Sequence, residues 1–137
     1  MSEEVSGRKK ILIVDDEEKF CSMVKKNLEK EGNYEVRTLS KGAEAFDAVK
    51  EFRPDLILLD VLMPDKRGPE IAHQIREDDK LKKTPIVFLT ATVEKGQTEA
   101  FGGIVGGVPF TVKPAISKPV KTKDLIKCIE RELAPAS

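Results

Sequence analysis

The chain has 137 residues, 39% hydrophobic and 35% charged, with 24 Lys and Arg against 24 Asp and Glu for a formal net charge of zero. That length suits one domain with a single core, and the chain is too apolar and too little charged to be disordered. No run approaches the roughly 20 apolar residues of a membrane helix, residues 1–10 lack a signal-peptide core, and the neutral balance argues against a dedicated nucleic-acid-binding domain.

Residues 1–9 are polar and read as a short flexible leader, with the domain proper spanning 10–134 and a tail at 135–137. Ile11-Leu12-Ile13-Val14 is apolar on both faces, as a central strand of a parallel sheet must be, and it stops at Asp15-Asp16-Glu17-Glu18. Four acids there suit a helix N-terminus, and Phe20, Val24 and Leu28 give the following helix its apolar stripe before Gly32-Asn33 ends it. Tyr34 to Leu39 reads as a strand, and Lys41 to Phe52 as a helix burying Ala45, Phe46, Val49 and Phe52. Leu56-Ile57-Leu58-Leu59 is a second fully apolar run, and it ends on Asp60. A loop through Met63-Pro64 leads to a third helix marked by Ile71 and Ile75, on which His73 is expected to be exposed. Lys80-Leu81-Lys82-Lys83 reads as a solvated turn. Ile86-Val87-Phe88-Leu89, the third apolar run, ends on Thr90.

The alternation then loses its regularity. Residues 94–101 suit a short helix, but Gly102-Gly103-Ile104-Val105-Gly106-Gly107 is poor helix material and is expected to be mobile until a modification or a partner orders it. A last strand is expected before the final helix, Thr122 to Leu133, with Leu125, Ile126, Ile129 and Leu133 on its apolar face. Five βα units, the fourth helix irregular, imply a parallel sheet covered on both faces. Cys21 and Cys128 are too few for a disulfide framework or zinc site and read as small, mostly buried helix residues.

Three apolar runs thus end in Asp15-Asp16, Asp60 and Thr90. In open parallel sheets ligands bind beyond the carboxyl ends of the strands, so neighbouring strands would bring three carboxylates and a hydroxyl together. Unpaired carboxylates repel, and one is driven toward protonation. A divalent cation resolves the conflict, and all-oxygen ligation favours a hard ion such as Mg²⁺. Taken alone, Asp15 and Asp16 also suit plain helix capping.

The ordered set of Ile11-Leu12-Ile13-Val14-Asp15-Asp16-Glu17, Asp55 to Pro64, Phe88-Leu89-Thr90-Ala91 and Ser117-Lys118-Pro119 resembles the receiver domains of two-component response regulators over about Lys10 to Leu133. The resemblance implies a doubly wound, flavodoxin-like α/β fold whose five parallel strands run in the order 2-1-3-4-5. It further implies that Asp60 accepts a phosphoryl group from a histidine kinase or histidine phosphotransfer protein. Asp15, Asp16 and Asp60, with the backbone carbonyl of Leu62, would hold Mg²⁺. Thr90 and a lysine would bond phosphoryl oxygens, and the outcome would be altered binding of an output protein: a cytoplasmic phosphorelay switch, not an enzyme, with neither nucleic acid nor membrane as its direct partner.

Two lysines compete for the last role. Lys118 is favoured because it leaves the additional residues in the loop before the last strand; Lys113 is the alternative, in a Phe110-Thr111-Val112-Lys113-Pro114 context that locally matches the family's strand. With Lys118 chosen, Ala115 stands where many receivers have a mobile aromatic, so the output surface does not transfer by resemblance. Apolar Leu62 and uncharged Thr92 cannot orient an attacking water as an acid or amide would, which implies slow self-dephosphorylation relative to receivers with polar side chains there. A longer regulator with an effector domain is the alternative to a free-standing switch. An Asp-nucleophile phosphatase is disfavoured because Leu62 stands where a second acid would be needed.

Overall fold

In the computed structural model, residues 7–90, 103–105, 108–110, 115–118 and 120–134 are described, with 103–105 and 108–110 as backbone. The strands are β1 (Lys9–Val14), β2 (Tyr34–Leu39), β3 (Leu56–Asp60), β4 (Ile86–Thr90), β5 (Gly103–Val105), β6 (Val108–Phe110) and β7 (Ala115–Ser117). The helices are α1 (Glu18–Lys30), α2 (Ala45–Phe52), α3 (Gly68–Arg76) and α4 (Thr122–Leu133).

The main sheet runs β2-β1-β3-β4-β7 with every pairing parallel. This is the expected 2-1-3-4-5 order once the hairpin before the last strand is set aside. Side chains alternate across a strand with period two, and here the alternation sorts the apolar runs onto two faces. Leu12, Val14, Ile57, Leu59, Ile86 and Phe88 pack on α2 and α3 through Val49, Phe52, Ile71 and Ile75. Ile11, Ile13, Leu56, Leu58, Val87 and Leu89 pack on α1 and α4 through Val24, Leu28, Leu125 and Ile129. Runs without polar residues are what a strand with two dry faces requires.

Several local expectations are corrected. The stretch from Lys41 is not one helix: Gly42–Glu44 is a 3₁₀ turn and α2 begins at Ala45. It ends at Arg53, whose φ of 51° is left-handed, because Pro54 disfavours a helical conformation in the residue before it. Phe46 is half-buried, packed at the margin of the core, and His73 is half-buried on α3. Leu81, read as part of a solvated turn, is 5% exposed and belongs to the core, while its lysine neighbours stay in solvent. On the turn between α3 and β4, Leu81 packs in the same cluster as Ile75 and Ile86. Cys21 and Cys128 are both buried, as read from the sequence.

After β4 the chain departs from simple alternation. Gly103–Val105 and Val108–Phe110 pair antiparallel, so the Gly-rich segment contributes, at 103–105, one strand of a small two-stranded sheet. The helix expected over 94–101 lies outside the described residues, as do Gly102, Gly106, Gly107, Thr92, Lys113 and Pro119, the leader up to residue 6 and the tail at 135–137.

Candidate metal centre at the carboxyl edge of the sheet

β1 and β3 pair as Val14 with Leu59, so the residues that follow, Asp15 and Asp60, stand side by side beyond the last apolar pair. β4 pairs with β3 as Leu89 with Asp60, and with β7 as Thr90 with Ser117. The Lys118 amide donates to the Thr90 carbonyl at 2.7 Å, carrying the ladder one residue past β7. The Asp15 amide does the same toward β2, donating to the Leu39 carbonyl at 2.9 Å. Four strand ends in register therefore deliver Asp15, Asp60, Thr90 and Lys118 to one place.

Asp15 is fully buried and Asp60 5% exposed, while Asp16 faces solvent. One carboxylate oxygen from each of the three lies within 4.8 Å of the others. The Lys118 ammonium donates to Asp15 Oδ2 and to Glu17 Oε1, both at 2.7 Å, and stands 4.0 Å from Asp60 Oδ1. The Phe20 ring centroid is 4.9 Å from the same nitrogen, a cation–π contact. Asp15 Oδ1 accepts the Glu17 amide at 2.9 Å, which fixes the carboxylate at the start of α1. Asp60 Oδ1 is approached by the Leu62 amide at 3.4 Å. Thr90 Oγ1 is buried with no hydrogen-bond partner among the described residues.

The charges are out of balance. Burial, and then the nearby Asp15 carboxylate, push the Asp60 carboxyl up to about 7 against the opposing pull of Lys118. Burial alone would lower the Lys118 ammonium, but its hydrogen bonds to Asp15 and Glu17 outweigh that and raise it. Burial, then Asp15, push the Cys21 thiol up to about 12; its Sγ donates to the Asp15 carbonyl at 3.3 Å, so it stays a protonated packing group. Three convergent carboxylates with one ammonium fit a hard divalent cation: the donors are all oxygen, and the strain they place on Asp60 is what positive charge relieves.

Every described site residue named from the sequence lies in this cluster or, as with Leu62, beside it; Lys113 is outside the described residues. Sequence reasoning missed Glu17, taken there as one of four helix-start acids, as a partner of Lys118. It also missed Gly68, on which a Cβ would collide with the Asp60 carbonyl oxygen. The glycine was visible, but only the close approach of α3 to the end of β3 explains it.

A family model for the response regulator receiver domain matches residues 11–130. The polar-differentiation response regulator DivK of Brucella anthropi is 34% identical over 128 residues, covering 93% of this chain and 98% of DivK. The alkaline phosphatase synthesis transcriptional regulatory protein PhoP of Bacillus subtilis is 37% identical over 132 residues, covering 94% of this chain and 52% of PhoP. Among solved structures, the chemotaxis protein CheY4 of Vibrio cholerae superposes with a TM-score of 0.74 at 32% identity, covering 92% of this chain and 99% of CheY4.

Proposed function

Because the chain belongs to the response regulator receiver domain family of two-component signalling, we propose that it accepts a phosphoryl group on Asp60 from a histidine kinase or histidine phosphotransfer protein and thereby changes its affinity for an output protein. The observation that carries this reading is the meeting of Asp15, Asp16 and Asp60 within 4.8 Å. In the transfer, an Asp60 oxygen forms a bond to phosphorus as the bond from phosphorus to the donor's nitrogen or oxygen breaks, and the donor leaves with that electron pair. Asp60 must be a carboxylate to act, and the Lys118 ammonium lowers the cost of that charge. The ammonium then faces the new phosphoryl oxygens, to which its third N–H, not spent on Asp15 or Glu17, donates. Thr90 Oγ1, buried and without a hydrogen-bond partner among the described residues, is a donor in reserve for a second phosphoryl oxygen, and turning toward it is the local event that a partner reads.

A divalent cation, Mg²⁺ by donor chemistry, would be held by the carboxylates of Asp15, Asp16 and Asp60 with the Leu62 carbonyl. Bound there it would supply the positive charge that offsets the acids and the incoming phosphoryl group.

The test is incubation with acetyl phosphate and Mg²⁺ followed by intact mass measurement. Wild type is expected to gain the mass of one phosphoryl group, Asp60→Asn to gain none, and Lys118→Ala to be modified but to lose any change in partner binding. An Asp60→Asn protein modified as readily as wild type overturns the assignment. A second reading, the receiver of a longer regulator with an effector domain, draws support from the match to about half of PhoP; the length of the native open reading frame decides between them.

A further inference from the structure

The loop from Val61 to Arg67 follows Asp60 and carries the Leu62 carbonyl. Its two ends are held by backbone bonds, Val61 amide to the Leu89 carbonyl at 3.0 Å and Gly68 amide to the Val61 carbonyl at 2.9 Å. Its middle is held otherwise. The Asp65 carboxylate accepts the Gly42 amide at 3.2 Å and the Ala43 amide at 2.9 Å, one on each oxygen. Those amides open the 3₁₀ turn that leads into α2, where the local capping position, Lys41, makes no side-chain bond. The same turn lies tight against the loop: a Cβ on Gly42 would stand 3.0 Å from the Lys66 carbonyl oxygen and 3.1 Å from Ile71 Cδ1. Lys66 Nζ donates to Gln74 Oε1 at 2.7 Å, and Val61 and Met63, on either side of Leu62, are buried.

We propose that Asp65 is a positioning residue: by bridging to the Gly42 and Ala43 amides it clamps the loop after Asp60 onto the start of α2, and so holds the Leu62 carbonyl at the metal centre. Two backbone donors on one carboxylate favour its charged form, and these bonds hold the Asp65 carboxyl below its usual range. A chelate of this kind acts on the metal through the backbone of the loop, as residues that orient ligands without touching the ion do. The role rests on the functional reading above, since it is the divalent cation of that reading whose affinity it sets.

The full chain tests it with Asp65→Ala and Asp65→Asn, read by amide hydrogen exchange and by calorimetric titration with Mg²⁺. Asp65→Ala is expected to speed exchange at Gly42 and Ala43 and also at Gly68, whose amide bonds Val61 and not Asp65. It is expected to weaken Mg²⁺ binding about tenfold. Asp65→Asn keeps one acceptor oxygen and is expected to fall between Ala and wild type. Phosphorylation by acetyl phosphate should need more Mg²⁺ to reach half its maximal rate, with that maximum unchanged. Faster exchange confined to Gly42 and Ala43 with unaltered Mg²⁺ affinity would reduce Asp65 to a helix cap and overturn the proposal. A wild type that binds no Mg²⁺ also overturns it. A wild type that binds Mg²⁺ in an Asp65-dependent way yet takes no phosphoryl group supports the clamp and overturns the functional reading instead.

Discussion

Asp60 is held in a place that suits its charge poorly. Its carboxyl has a folded-state value of about 7 against about 4 in an unfolded chain, so the protonated form favours folding. That contribution is complete below about pH 4 and is lost as pH rises through 7. Asp60→Asn, measured by urea unfolding in the presence of a chelator, should therefore match wild type near pH 4 and exceed it at pH 8 by on the order of 4 kcal/mol, at about 1.4 kcal/mol per pKa unit. No gain at pH 8 would mean that Lys118 already balances the site. Leu62 makes a second case at this scale. Its side chain is 61% exposed at the rim and has no group that orients water, so Leu62→Asn, whose amide can hydrogen-bond and orient an attacking water, should shorten the lifetime of the phosphorylated form about tenfold. Loss of phosphate, followed by mass spectrometry, reads this directly.

Between elements, the decisive contact is that of α3 with the end of β3. Gly68 opens the helix directly against the Asp60 backbone, and no side chain fits there. Gly68→Ala should cost at least about 2 kcal/mol, since overpacking displaces backbone and not a flexible side-chain end. It should also slow phosphorylation by acetyl phosphate more than tenfold at saturating Mg²⁺, because a shift of about 1 Å in Asp60 misaligns the attack. A variant that keeps both stability and rate would show that α3 can retreat from the sheet. The elements themselves were largely legible in the residues. β1, β3 and β4 announce themselves as apolar runs with polar stops, and α4 by its stripe. Leu81 was not legible, because three flanking lysines make a solvated turn by composition and only packing with Ile75 and Ile86 in the tertiary structure draws one residue inward. The β5–β6 pair was also missed: a six-residue stretch with four glycines predicts no element, yet Gly103 does not prevent a short antiparallel ladder.

Over the whole molecule, one sheet divides the core into two apolar clusters, Ile75 in one and Leu28 in the other, both fully buried. The sheet is common to both clusters, so they should unfold as one unit. Leu28→Ala and Ile75→Ala are each expected to lower unfolding free energy by about 2–5 kcal/mol with the denaturant slope unchanged; a change of slope in either would show that one face unfolds ahead of the other. The acids at the carboxyl edge lie outside both clusters, which lets the site carry unfavourable charge while the apolar layers supply stability. Among the described residues no helix is long and apolar enough to cross a membrane.

The amino-acid order by itself determined the alternation of strands and helices, the two-faced burial of three strands, and the polar residues on which they end, since each of these is a local pattern of period and interruption. Tertiary structure alone decided which polar residues meet. Strand register set Asp15 beside Asp60 and carried Lys118 to Asp15 across 103 residues of chain, and register depends on the pairing of distant segments. It also turned Glu17 from a helix-start acid into a partner of Lys118, and Asp65 from a loop acid into a bridge between two loops. Hydrophobic period is written along the chain; the meeting of charges is written only in the space between strands.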